Sequence, residues 1–425
     1  MNKINSKILI LIVTFLFACS IPGFGQSDDL YEQALDRIES GQLEEALSML
    51  EVVTDQRPEF AKAWNNKGSI HLIQGEYSKA KQNFERALRI DPEYPKAQAN
   101  LGSVYLKQGN TEKAISAFKK ALEINSTNEE ANYNLGNIYF QQGQLEKARN
   151  YFERVVETNP DHYKAIYRLG LIAARTGQES RAKEYFAKAL DIEDEDPVIL
   201  NEVGRFYLQK GELERAERYL SKANKLTEKK PAPLHNLGLV YLNRGEPAEA
   251  VNYFEKALEF RSEDEPRQLS RLHSDYGLAL YRNREFDTAL DQYKRALELD
   301  NYNASAHYNL GLLLEDSGHY DRAMDHYKYA FNIDNQYVEA YNNYGLLLLN
   351  VREDYENALK YFERAIHIDP GYTFAYYNKA LVFTKLERYE AARTSLRKVL
   401  NMVSPEKGLY ERARDLLDEI QGKSN

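Results

Sequence analysis

The chain has 425 residues, of which 43% are hydrophobic and 28% charged, so it has the composition of a folded, soluble protein. With 22 glycines and 12 prolines it is neither collagen-like nor low-complexity, and a net charge of −9 with no basic run argues against a nucleic-acid binder. One cysteine leaves no disulfide pair, and eight scattered histidines form neither an HExxH pattern nor a Cys/His set at metal-ligand spacing.

Residues 1–25 read as an export signal. Lys3 and Lys7 precede an apolar run, Ile8 to Phe17, which only Thr14 interrupts. Such a run is shorter than the roughly 20 residues a bilayer span needs, and it suits the core of a signal peptide. Two processing sites fit. Leu16-Phe17-Ala18-Cys19 resembles the lipobox of bacterial lipoproteins, in which the cysteine is lipidated, although Phe17 is larger than that pattern prefers. Cleavage after Gly23-Phe24-Gly25 is the other reading. Either way the expectation is an exported protein of a bacterial envelope, periplasmic or anchored to the membrane through a lipid on Cys19.

From residue 27 onward the chain repeats. Gly68, Gly102, Gly136, Gly170, Gly204 and Gly238 stand 34 residues apart, and Gly277, Gly311, Gly345 and Ala380 continue the row. A second glycine follows seven residues behind, from Gly41 to Gly245 and again at Gly318. Alanine holds a third place in every unit, from Ala46 to Ala392. Eleven units result: 27–60, 61–94, 95–128, 129–162, 163–196, 197–230, 231–269, 270–303, 304–337, 338–372 and 373–405.

Each unit predicts two helices. The first, such as Pro95 to Lys107, ends at a glycine that can turn the chain with positive φ. The second, such as Thr111 to Ile124, stops at a polar residue or at Pro58, Pro92, Pro160 or Pro370. The small residues let the two helix backbones approach, and an aromatic (Phe84, Phe118, Phe152, Phe186, Phe254, Tyr293, Tyr327, Phe362) is expected to fill the space between successive hairpins. One hairpin cannot bury its apolar face alone, so stability comes from stacking.

The period slips twice. Five extra residues fall near Arg261 to Leu269, read as a longer helix or turn rather than a hinge, and one falls near Val351 to Asp354. After the last unit, 406–425 holds a final amphipathic helix, Glu406 to Gln421, expected to cover the open end of the stack, followed by a frayed tail.

The unit Ala61 to Tyr94 carries Trp64, Gly68, Gly75, Tyr77, Ala80, Phe84, Ala87 and Pro92. With eleven concordant units, this pattern resembles the tetratricopeptide repeat family. The resemblance implies an all-α, right-handed superhelical solenoid whose first helices line a concave groove that binds extended peptide segments of other proteins. It implies no catalysis and no cofactor.

On that groove, the place two residues before the inner glycine is most often asparagine: Asn66, Asn100, Asn134, Asn236, Asn309, Asn343 and Asn378. A carboxamide can donate and accept, so the row could pair with peptide backbone, or it could bridge neighbouring helices. Lys62, Lys96, Lys164 and Arg168 add positive charge to the N-terminal half. Asn134, Lys164 and Arg168 resemble part of the carboxylate clamp of chaperone-binding repeats, but Ala99 and Ser103 stand where its other members belong. The C-terminal half instead offers Leu239, Leu278, Leu312, Leu346 and Leu381, with Tyr308 and Tyr377 nearby, and 18 of the 32 tyrosines lie beyond Glu263. The expectation is a binding scaffold. A self-associating structural solenoid is the alternative, and an enzyme with a site inside the superhelix is a remote one.

Overall fold

The structure, a computed structural model, describes residues 24–227, 229–261, 265–406 and 408–423. Residues 1–23 of the export signal, which include the apolar run and Cys19, lie outside the described residues. The described residues form 23 α-helices and no strand, and they divide into two compact units on either side of Asp194/Glu195.

The first unit holds ten helices as five hairpins: α1 (Phe24–Glu39) with α2 (Leu43–Gln56), α3 (Ala61–Ile73) with α4 (Tyr77–Ile90), α5 (Pro95–Lys107) with α6 (Thr111–Ile124), α7 (Glu129–Gln141) with α8 (Leu145–Thr158), and α9 (Tyr163–Arg175) with α10 (Glu179–Ile192). The second holds six more: α11 (Pro197–Gln209) with α12 (Leu213–Thr227), α13 (Pro231–Arg244) with α14 (Pro247–Glu259), α15 (Pro266–Arg282) with α16 (Phe286–Leu299), α17 (Ala304–Asp316) with α18 (Tyr320–Ile333), α19 (Val338–Asn350) with α20 (Tyr355–Ile368), and α21 (Thr373–Lys385) with α22 (Tyr389–Met402). Helix α23 (Gly408–Ile420) closes it.

Local chemistry sets these boundaries. Proline stands at the start of α5, α11, α13, α14 and α15, where its missing N–H costs nothing. Within a hairpin the turn is a Schellman motif. In the second hairpin the Gly75 N–H donates to the Leu72 carbonyl and the Glu76 N–H to the His71 carbonyl, at 3.1 and 2.8 Å, with Gly75 at φ +77°.

The core is the interior of each hairpin extended into its neighbour. A Cβ placed on Gly136 would lie 2.7 Å from Cε1 of Phe152, and the same approach recurs at Gly68 with Phe84 and Gly102 with Phe118. The repeat aromatic therefore packs first against the glycine of its own hairpin, not only between hairpins as the sequence suggested. It also reaches onward: Phe84 shares a cluster with Leu101 and Val104 of the next first helix. The row of alanines from Ala46 to Ala392 is fully buried.

The five extra residues near Arg261 lengthen a first helix, since α15 has 17 residues where most have 13. Phe254 and Ala257 before it share one core cluster with Leu269 and Leu272 after it. Helix α23 covers the end of the second unit with Leu409, Ala413 and Ile420. The buried Arg393 guanidinium of α22 donates to the Ile420 and Lys423 carbonyls, satisfying the end of α23.

Candidate functional site

Positions on the first helices are conveniently numbered from the inner glycine. The asparagine row stands at −2, and the side chain at −3 of the preceding repeat comes within reach of it. In the first unit Asn66 donates to the Tyr31 hydroxyl at 3.0 Å and Asn100 to Asn65 Oδ1 at 2.8 Å. In the second, Asn236 donates to Asn201 at 2.9 Å, Asn343 to the Tyr308 hydroxyl at 3.2 Å, and Asn378 to Asn342 at 2.8 Å. His235 and Asp275 make the same −3 to −2 contact with opposite polarity, Nε2 to Oδ2 at 2.8 Å. Each unit thus carries a polar ladder along its first-helix face, with two such rungs in the first unit and four in the second.

These rungs tie five of the seven predicted asparagines to the preceding repeat. Three of them, Asn100, Asn236 and Asn378, are buried. Their amides hold helices together, because a buried donor left unpaired is costly. The predicted pair Tyr308 and Asn343 bond to each other, and burial raises the Tyr308 hydroxyl pKa. Tyr377 lies partly buried with the Arg412 guanidinium 5.4 Å from its ring centre, facing α23.

Two predicted asparagines are not tied. Asn134 follows a repeat with Ala99 at −3, which has no polar atom to offer. Asn309 follows Ser274, whose hydroxyl is buried without a hydrogen-bond partner. Neither side chain has a hydrogen bond among the described residues.

Around Asn134 the first unit is basic. Lys164 is exposed and Arg168 half-buried, and the guanidiniums of Arg168 and Arg175 lie 5.4 and 4.2 Å from the Phe140 ring centre. None of the three cations has a carboxylate partner among the described residues. On α7, the helix of Asn134, Glu130 accepts from Ser103 at 2.8 Å, and burial raises its pKa.

The second unit offers a cavity of about 500 Å³ on its first-helix face, where Asn236, Leu239, His235 and Asp275 meet Glu202 and Arg205. The leucines predicted there, Leu239, Leu278, Leu312, Leu346 and Leu381, are half-buried and rest on the core clusters with one edge open. Among the described residues no group of three or more His, Cys, Asp or Glu could hold a metal ion, and no helix is long and apolar enough to cross a membrane.

The −3 partners escaped the sequence reading. Their only signal is spacing, 35 or 36 residues ahead of each −2 asparagine, because chemically they are mixed: Tyr31, Asn65, Asn201, Tyr308 and Asn342.

Stacked hairpins with this glycine, alanine and aromatic register match known repeats over most of the chain. Residues 68–109, 102–143, 230–301, 275–337, 338–372 and 375–402 each match a tetratricopeptide repeat family. The chain is a tetratricopeptide-repeat protein. Residues 123–260 also match the family described as the Cilia and flagella-associated protein 70 C-terminal domain. No curated protein matches the chain.

Among solved structures, this tetratricopeptide-repeat protein is similar to the APC/C hetero-tetramer Cut9–Hcn1, at 14% identity and a TM-score of 0.53, over 97% of this chain and 99% of that one. It is similar to yeast Tom70 at 14% identity and a TM-score of 0.50, over 94% and 97% of the two chains. It also matches YrrB, described as a repeat protein with an unusual peptide-binding site, at 27% identity and a TM-score of 0.33, over 45% and 95%. The first two likenesses are likenesses of fold. The fold is that of a protein–protein interaction scaffold, and proteins of this repeat family are generally non-catalytic.

Proposed function

We propose that this protein is a non-catalytic scaffold of the bacterial cell envelope that binds extended segments of partner proteins along its first-helix faces. The observation that carries this reading is the polar ladder itself. It presents a face of amides, hydroxyls and charged groups in register with the repeat, and at Asn134 and Asn309 that face keeps polar groups no neighbour engages. In the second unit a first-helix face that sets polar rungs beside half-buried leucines suits an extended chain, which offers a main-chain amide and a side chain in turn. The first unit, with Lys164 and Arg168 unpaired, favours an acidic segment or a terminal carboxylate. The export signal and Cys19 support an envelope location, with the lipid on Cys19 as the anchor.

One fractionated pull-down tests both parts. The full chain, Asn134→Ala/Arg168→Ala, His235→Ala/Leu239→Ala and Cys19→Ala are each expressed in a bacterial host and recovered separately from its membrane and soluble envelope fractions. Each face variant is expected to lose specific partners, and Cys19→Ala to shift the protein from the membrane to the soluble fraction. Partners that persist through both face variants would sink the groove reading. A membrane-bound Cys19→Ala protein would sink the anchor.

A further inference from the structure

The ladder of the second unit has one broken rung, and the break is not at random. Where −3 is asparagine, the −2 asparagine of the next repeat reaches it at 2.8 to 2.9 Å, as Asn201 with Asn236 and Asn342 with Asn378 show. Tyrosine also reaches, as Tyr308 does with Asn343. Serine carries its oxygen one bond nearer the backbone than asparagine does, and Ser274 and Asn309 form no hydrogen bond. Ser274 is 1% exposed with its hydroxyl unpartnered, and Asn309 is 7% exposed with no hydrogen bond to its side chain among the described residues. A buried hydroxyl without a partner, as at Ser274, is costly unless something else completes it, and the Asn309 amide of the same rung makes no hydrogen bond among the described residues.

Beside that rung lies a cavity of about 350 Å³ that Ser274 itself lines, with Arg271, Asp275, Asp300, Asp334 and Tyr337. Ser305, which also lines it, stands one helical turn before Asn309 on α17. Its charge is lopsided, three carboxylates against one guanidinium. Asp300 and Asp334 each spend Oδ1 on a turn N–H, from Tyr302 and Gln336, at 3.0 Å. Neither has a further hydrogen bond among the described residues, so a second carboxylate oxygen stays open on each.

We propose that this broken rung is the anchoring subsite of the second unit. Ser274 and Asn309 take a main-chain amide of a partner's extended segment, and a Lys or Arg side chain of that segment enters among Asp275, Asp300 and Asp334. The proposal rests on the scaffold reading above and adds to it the place and the chemistry of the contact. The partner's N–H and C=O supply the missing rung, one to Ser274 and one to Asn309, and the cationic side chain meets Asp300 and Asp334, whose other oxygens hold turns, beside Asp275, whose Oδ2 pairs with His235.

The repeat itself supplies the decisive variant. Ser274→Asn puts at −3 the residue that closes this rung in the Asn201 and Asn342 pairs. It should fill the gap from within, raise Tm by about 2 °C, and lose the ligand. The probe is a random dodecapeptide display library, panned against the full wild-type chain, Ser274→Asn and Asn309→Ala. On wild type, peptides with Lys or Arg at one fixed place should be enriched, and both variants should weaken their binding at least tenfold. Asn309→Ala decides the matter if Ser274→Asn melts below wild type. Enriched peptides that bind all three proteins alike, or enrichment of acidic peptides by this unit, would overturn the subsite while leaving the scaffold reading standing. A library that yields no peptide competing at either first-helix face would count against both.

Discussion

At the scale of single residues, the inner glycines matter for closeness. Gly136 lies within a helix, where alanine is ordinarily the better residue by about 1 kcal/mol. Here the added methyl would sit 2.7 Å from the Phe152 ring, whose side chain is fully buried and has no room to swing away. Overpacking of this kind costs about 1–3 kcal/mol and outweighs the propensity gain. Gly136→Ala is therefore expected to lower the urea midpoint, with the slope unchanged, by a net loss of about 1–2 kcal/mol. An equal or higher midpoint would mean that the ring yields and that the close approach is not what selects glycine. The sequence made this glycine row plain because it is chemically uniform. The ladder was only half legible for the opposite reason. Asparagine recurs at −2, but the residue that meets it, now Tyr31, now Asn65, now Tyr308, shares no property except reach. The row of asparagines pointed to a face. Only the pairing shows that most of its members are engaged and that Asn134 and Asn309 are not.

At the scale of elements, the hairpin of α17 and α18 carries a polar bridge of its own. His307 and His326 meet Nδ1 to Nδ1 at 3.0 Å, and His307 Nε2 lies 3.1 Å from the Asn301 carbonyl. A carbonyl only accepts, so His307 keeps its proton on Nε2 and its Nδ1 accepts from the Nδ1–H of His326. Burial, then the neighbouring His307 and Arg322, push His326 down to about 4, against the smaller opposing pull of Asp325, and burial lowers His307 as well. A base whose pKa is lower folded than unfolded binds protons more readily in the unfolded chain. The stability this pair contributes is complete above about pH 6.5 and drains away as pH falls towards 4. The preceding hairpin bridges the same places with His273 and Gln292, at 2.7 Å. His326→Gln should therefore keep the bridge and flatten the fall in Tm between pH 6.5 and 4. A variant that loses stability with acid as steeply as wild type would place the acid sensitivity elsewhere. Element boundaries were otherwise legible because prolines and turn glycines mark them. Where the glycine is missing, the turn persists with a strained substitute: Arg284 at φ +65° and Glu387 at φ +58° keep the same pair of backbone bonds. There the register of the repeat, not the local residue, sets the turn.

At the scale of the whole molecule, a solenoid is held by nearest neighbours, so any run of hairpins with its own core is a candidate folding unit. The insertion near Arg261 is the largest slip of the period, and the sequence reads it as a longer helix or turn rather than a hinge. The core does pass straight through it, joining Phe254 to Leu272, and the chain divides at Asp194/Glu195, where the 34-residue period is undisturbed. Composition cannot reveal such a boundary, because the repeat keeps its pattern on both sides of it. Residues 195–425 contain everything a separate unit needs. They have the clusters around Phe254, Tyr293 and Tyr327, a second around Phe362, and α23 with Arg393 to close the end. Expressed alone, this segment is expected to be helical by circular dichroism and to melt in one cooperative step, with an m-value scaled to its length. As the first helix of this segment α11 has a neighbour on one side, so its amides should exchange first, and those of α15 and α16 last. Uniform, unprotected exchange across the fragment would show that the two units fold only together. The open rung at Ser274 would then have to be understood as a feature of the entire chain rather than of the unit that contains it.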